Sequence, residues 1–394
     1  MKNFFVVTLL VFLLTACLGN APTQTELDTL GTVVAETLMA IPSATSTPEP
    51  IATEVVATIT PEPNTVLPRS LYYLAADSSG KSQIYRLERD GVTLNQITFE
   101  QGDLTGFSIS PVDGAVVYTM QNKLIIVDAN GENGQTLIQE SNVENLFNPL
   151  WSSDGKIIVY DSGKDTSAYL FDESKNEVLF PGSDAEDIYP VSFSPDGRKL
   201  LIRKHKIPSS PESPVLIYDF ASQVLMPIVW HNQPYPCFGY ISWDTSDNFF
   251  CYFHVLAGGV VPGLWRVNAS DGSVESLVES FQPPFLLVHA PYQDITGNLY
   301  YLYGEDQGMA YSPLSLVRSG ADGVTNREVL RPETFNVLNA LWTPDGSALL
   351  ISQNNGSNSL PANLVFVPVD PSLSVVTILA DASTLNSDSL RWGP

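Results

Sequence analysis

The side chains with the widest chemical repertoire in this chain are four histidines, His205, His231, His254 and His289, and two of its three cysteines, Cys237 and Cys251. Around them stand Trp230, Tyr235, Phe238, Phe281, Phe285, Tyr311 and Phe335. Neutral imidazoles ligate metals, and flat aromatic faces suit a sugar ring or a peptide side chain. Spacing disfavours the first use, because His231, His254 and His289 fall in three separate segments without ligand spacing. No metal and no cofactor is expected. Nucleophile and metalloprotease signatures are absent too: there is no Gly-x-Ser-x-Gly, His-Glu-x-x-His, Cys-x-x-Cys, Gly-x-x-x-x-Gly-Lys or Asp-x-Asp-x-Asp-Gly. No catalytic residue is assigned. Trp230, His231, Tyr235, His254, Phe285, His289 and Tyr311 form the candidate ligand-binding set, against the alternative that they only cap the ends of larger repeats.

Those residues need a scaffold, and the scaffold is a repeat. Ile109, Trp151, Phe193, Trp243, Tyr292, Trp342 and Trp392 each open a short polar turn, at spacings of 42, 42, 50, 49, 50 and 50 residues. Self-similarity at this period marks one supersecondary unit laid beside its neighbours. The turns read Val112-Asp113-Gly114, Ser153-Asp154-Gly155, Pro195-Asp196-Gly197 and Pro344-Asp345-Gly346, with weaker versions at Asp247-Asn248 and Thr296-Gly297. Proline presets the first central position, aspartate suits the next, and glycine tolerates the positive φ that follows. Second strands are expected at Leu71 to Leu74, Ala115 to Thr119, Ile157 to Tyr160, Leu200 to Arg203, Phe249 to Phe253, Leu299 to Tyr303 and Leu349 to Ser352. Four short β-rich segments per repeat and seven repeats predict an all-β, seven-bladed propeller of four-stranded antiparallel blades over 69–394. The seventh copy, Leu390-Arg391-Trp392-Gly393-Pro394, lacks its remaining strands, and these are expected at the front of the domain, so the C-terminal strand closes the first blade.

Long insertions then fall on one face of blades 4 to 7: Lys204 to Pro214, Trp230 to Gly239, Val255 to Gly263, Phe281 to His289, Gly304 to Pro313, Arg331 to Asn339 and Gln353 to Ala362. All four histidines are expected there. A basic run, Arg198, Lys199, Arg203, Lys204, His205 and Lys206, reads as a solvated face or as a site for an acidic ligand. Across the face, Asp184, Glu186 and Asp187 in the third-to-fourth connection could chelate a cation.

The segments Phe193-Ser194-Pro195-Asp196-Gly197-Arg198-Lys199-Leu200-Leu201-Ile202 and Trp342-Thr343-Pro344-Asp345-Gly346-Ser347-Ala348-Leu349-Leu350-Ile351 resemble the repeat of TolB-like propellers, over nearly the whole of 69–394. What the resemblance implies is fold, since such propellers serve as scaffolds, receptors and enzyme accessory domains alike. The family's namesake is six-bladed and periplasmic with a separate α/β domain. Neither the blade count nor that domain matches, so no role in the Tol system is carried over.

Ahead of the propeller, Lys2 precedes an apolar run from Phe4 to Leu14, too short to cross a hydrocarbon core of about 30 Å. It reads as a signal peptide over 1–16. Leu14-Thr15-Ala16-Cys17 resembles the bacterial lipobox, which implies cleavage before Cys17 and acylation of that residue, enough for stable anchoring. Residues 17–68 turn to Thr, Pro, Ala and Glu, with no Lys or Arg from Asn3 to Pro68, and predict a disordered stalk. Its reach is on the order of 150 Å in polyproline geometry.

Charge narrows the partners. Lys and Arg number 19 against 43 Asp and Glu, a formal charge of -24, and losing Lys2 on cleavage leaves -25. Nucleic acid is disfavoured, and contact with the membrane is expected through the lipid anchor alone, whether of an inner or an outer membrane. The expected protein is a monomeric, extracytoplasmic lipoprotein whose propeller binds a protein, peptide or glycan. The alternative is a propeller hydrolase or lyase acting on carbohydrate. Cys237 and Cys251 allow a disulfide in such a compartment, but hairpin register sets Cys251 opposite a residue near Ser242, so pairing needs a bulge or a folded-back loop. Two buried free thiols are the alternative.

Overall fold

The computed structural model describes residues 65–206, 214–230, 233–234, 237, 239–244, 247–253, 263–280, 283–308, 311–354 and 361–394, with the backbone alone at 229–230, 233–234 and 253. Within it the periodic turn forms as its residue types dictate. In blade 4 Gly197 N donates to Ser194 O at 2.8 Å, and Gly197 takes φ +72°. Ser194 Oγ donates to Asp196 Oδ1 at 2.7 Å, and that bond above all holds the Asp196 carboxyl down at about 2. The same closure recurs at Gly155 to Ser152 O, Gly297 to Asp294 O and Gly346 to Thr343 O.

Each turn joins the inner strand of a blade to its second strand, and the blades are seven antiparallel four-stranded sheets. Their inner strands are Arg391–Trp392, Gly106–Ile109, Phe147–Trp151, Glu186–Phe193, Tyr240–Trp243, Leu286–Gln293 and Val337–Trp342. Second strands follow at Leu71–Ala76, Val116–Met120, Ile157–Ser162, Lys199–Lys206, Asn248–Phe253, Leu299–Glu305 and Ala348–Gln353. These match the expected spans to within a few residues at their ends. Seven buried apolar clusters alternate with the seven blades, and each draws on two successive blades. One of them joins Leu350 and Leu364 of blade 7 to Leu71, Tyr73 and Leu390 of blade 1, so the ring has no seam. Closure is the expected one: Leu71 pairs with Trp392 and Tyr72 with Arg391, and Gly393 N donates to Ser70 O at 2.8 Å.

Three of the four periodic indoles bind the ring from blade to blade. Trp392 Nε1 donates to Trp342 O at 2.6 Å, Trp342 Nε1 to Ala290 O at 2.7 Å, and Trp243 Nε1 to Ser192 Oγ at 2.9 Å. Ala290 can offer its carbonyl because the inner strand of blade 6 bulges there, with φ +48° and a register shift between His289 and Tyr292.

Several expectations about the loops are corrected. Arg331 to Asn339 is no insertion: the outer strand Glu328–Phe335 of blade 6 runs into the inner strand Val337–Trp342, and Phe335 is core. Polar residues there look like a loop, but Arg331 is buried and donates to the carbonyls of Pro368, Asp370 and Leu373. Lys204 and Lys206 belong to a strand, and the hairpin Val229–Trp230 with Gln233–Pro234 occupies part of the segment after blade 4. Asp184, Glu186 and Asp187 lie on the long-loop side, at the start of blade 4, where Asp184 pairs with Lys164 and Glu186 with Lys204. The basic run is thereby divided: Arg198 pairs with Asp196, and Lys199 reaches Asp247 of the next blade at 2.7 Å.

Candidate functional site

The inner strands run edge-on around the axis, and between them lies a space in two joined parts. One, of about 380 Å³, is walled by residues of blades 1 to 5, among them Thr105, Asn148, Tyr189, Ser192 and Arg203. The other, of about 550 Å³, is walled by Tyr240, Tyr252, Tyr292, Asn339 and Trp342. Ile241, Asp388 and Arg391 line both. The two parts differ in chemistry. The first is polar and carries cations, and the second is aromatic.

Aromatic residues reach the second part because a strand edge presents alternate side chains to each flank. Tyr240 opens the inner strand of blade 5, stacks on Tyr252 with ring centres 5.7 Å apart, and packs on His289 at 5.1 Å. Burial, with Asp388 and Tyr311 adding to it, pushes the Tyr240 hydroxyl up to about 12. Tyr240 therefore stays a neutral hydrogen-bonding group at any physiological pH. Trp342 stands 5.0 Å from Tyr292.

On the polar side, Arg203 stands on the second strand of blade 4 opposite Tyr189. Its Nη2 donates to Cys237 O at 2.9 Å and Gly239 O at 3.3 Å. Cys237 is itself held by a disulfide to Cys251, with Cα atoms 5.6 Å apart. Cys251 pairs with Ile241 across the hairpin, and Cys237 reaches it by folding back at φ +43°. The open question of the cysteines is thus decided for the disulfide. Arg391 is exposed to the axial space, and its Nη1 donates to Asp388 O at 3.1 Å and Leu390 O at 2.8 Å.

The expected binding residues are distributed unevenly. His231, Tyr235 and His254 lie outside the described residues, as does Cys17, and of Trp230 only the backbone is described. Phe285 is half-buried just before the inner strand of blade 6, and Tyr311 is half-buried in the loop after that blade's second strand. His289 is corrected: it does not sit in a loop on the open face but in the inner strand of blade 6, fully buried between Tyr240 and Tyr252. Its ring is core, because the bulge that follows it turns the strand at Ala290. Of the predicted set, the structure brings His289 against the wall of the axial space, at Tyr240 and Tyr252. Sequence reasoning named Arg203 only within the basic run and missed Tyr240, Arg391 and Asp388, and only the repeat phase could have placed the four on the axis. Among the described residues no group of three His, Cys, Asp or Glu side chains is arranged to hold a metal ion.

No protein-family model matches the chain, and no curated protein does. Solved structures do. A prolyl endopeptidase is similar at 13% identity over 90% of this chain and 54% of its own, with a TM-score of 0.53. An oligogalacturonate lyase from Vibrio parahaemolyticus is similar at 9% identity over 81% of this chain and 86% of its own, with a TM-score of 0.52. TolB from Acinetobacter baumannii is similar at 16% identity over 83% of this chain and 67% of its own, with a TM-score of 0.43. This chain spans about half the length of the endopeptidase. At these identities the likeness is one of propeller fold.

Proposed function

We propose that the protein is a lipid-anchored, extracytoplasmic lipoprotein whose propeller is a binding scaffold, taking a protein, peptide or glycan ligand at the long-loop face and the mouth of its axis. The observation that carries the reading is the axial space itself. All seven blades contribute to a rigid wall that combines aromatic faces with a few fixed polar groups, the composition of a recognition site. Leu14-Thr15-Ala16-Cys17 supports the anchor, and the Cys237–Cys251 disulfide supports an oxidising compartment. Hydrolysis of carbohydrate, one half of the enzymatic alternative, draws nothing from this wall. Glycosidic hydrolysis uses two carboxyl groups, and among the described lining residues only Asp388 supplies one.

The test is fractionation followed by capture. Wild type should partition with membranes and label with fatty acid, and Cys17→Ala should move to the soluble fraction with its melting temperature unchanged. A Cys17→Ala protein that stays on membranes would remove the anchor from the proposal. Pull-down of wild type from membranes should then recover a partner that Tyr311→Ala loses.

A further inference from the structure

The cations that line the axial space differ from most of those on the acidic surface in what holds them. Eleven of the described lysines and arginines have an Asp or Glu oxygen within 4.0 Å. Arg203 and Arg391 do not, and neither do Arg69, Arg89, Lys123 and Arg327, but among the described residues only Arg203 and Arg391 line the axial space. Both line the same part of the axial space, although 188 positions separate them in sequence.

Each is instead fixed by backbone carbonyls. Arg203 spends Nη2 on Cys237 and Gly239, and its Nε is buried without a partner among the described residues. Arg391 spends Nη1 on Asp388 and Leu390. Arg203 Nη1, and Arg391 Nη2 and Nε, make no hydrogen bond with the described residues. Arg391, anchored at Nη1, keeps the adjacent Nε and Nη2 for a planar two-oxygen acceptor, whereas Arg203 keeps Nη1 for a single charged hydrogen bond. Carbonyl anchoring supplies no full opposing charge, and Asp388 is the one described carboxylate on the wall. Beyond Arg391 and Ile241 the wall becomes Tyr240, Tyr292 and Trp342, which suit a flat or apolar body.

We infer that the axial space binds a small organic carboxylate, whose carboxyl group is taken by Arg391 and Arg203 and whose ring or apolar body lies against Tyr240 and Trp342. This rests on the reading of the propeller as a scaffold and names the chemistry of its axial ligand. Acidity elsewhere on the surface would repel such a ligand, so selectivity must come from the axis and not from long-range attraction.

The test uses the purified full-length chain, in detergent where lipidated, and two isosteric probes, 3-phenylpropionate and 3-phenylpropan-1-ol, measured by ligand-observed NMR and calorimetry. The acid should bind saturably and at least tenfold tighter than the alcohol. Arg203→Gln and Arg391→Gln should each weaken the acid at least fivefold and leave the alcohol unchanged. Asp388→Asn, which removes the opposing charge, should tighten the acid at least threefold, a change that a purely structural Arg391 or Arg203 would not produce. Equal binding of acid and alcohol to wild type overturns the inference even if the arginine variants fail to fold. So does an Asp388→Asn protein that binds the acid no tighter than wild type. Capture of a macromolecular partner by the loop face is read separately, so loss of one result leaves the other standing.

Discussion

Gly346 and Gly80 share a backbone conformation and differ in surroundings, which makes them a measure of what packing adds. Both have positive φ, +70° and +79°. A Cβ at Gly346 would meet the Tyr292 ring at 2.3 Å, whereas at Gly80 nothing lies within 4 Å. Gly80→Ala should cost about 1 kcal/mol from strain alone, and Gly346→Ala at least about 2 kcal/mol more, by thermal or urea unfolding. Equal costs would mean that the turns do not dock onto the preceding blade. A second residue reports on pH. Burial first, and Asp187 after it, raise the half-buried Asp161 carboxyl from 3.8 to about 6, against a hydrogen bond from Gly163 N. The folded pKa lies above the unfolded one, so the folded state's advantage is complete below pH 3.8 and is lost as pH rises through 6. Asp161→Asn keeps the Gly163 acceptor. It should therefore stabilise the protein by about 1 kcal/mol at pH 7.5, after discounting for solvent, and leave it unchanged at pH 3.5. A gain of the same size at both values would show that the carboxylate is not strained by its site.

At the scale of strands, the indole bonds predict how the ring opens. Trp392→Phe keeps most of the apolar area and removes one hydrogen bond to Trp342 O, so it should cost about 1 kcal/mol. Deleting 389–394 also removes the pairing to Leu71 and Tyr72 and the Ser389 Oγ that accepts from Leu74 N. The loss should be several kcal/mol, with an exposed edge at Leu71–Ala76 that promotes self-association. A truncated protein with an unchanged melting temperature would disprove closure by this strand. These elements were legible because turn chemistry is local: Ser194-Pro195-Asp196-Gly197 fixes its own hairpin, and the period carries that hairpin around the ring. What stayed hidden was decided between elements. No glycine marks the bulge at Ala290 that buries His289. Nothing near Arg331 announces the three carbonyls that let its strand run on, and nothing near Cys237 announces the fold-back that reaches Cys251. Arg203 and Arg391 could not be paired from spacing, since the axis joins residues that no local rule relates.

For the propeller as a whole, the two faces differ in kind. Connections between blades and between second and third strands make the long-loop face, where Tyr311 stands half-buried in the loop after the second strand of blade 6. The hairpin face is built from short turns whose apolar tips, such as Ile295 at 95% exposure, touch little. Single exposed apolar side chains are ordinary surface and need no partner. If recognition belongs to the long-loop face and the axis, Tyr311→Ala and Trp230→Ala should each weaken a captured partner by more than 1 kcal/mol, as anchoring aromatics do. Ile295→Ser, on the opposite face, should change neither binding nor melting temperature. Because Tyr311 is half-buried, its variant needs the stability measurement alongside: a binding loss that exceeds any fall in melting temperature assigns the residue to recognition. Equal losses from Ile295→Ser and Tyr311→Ala would place the partner elsewhere, and would return the long loops to the plainer role of capping the larger blades.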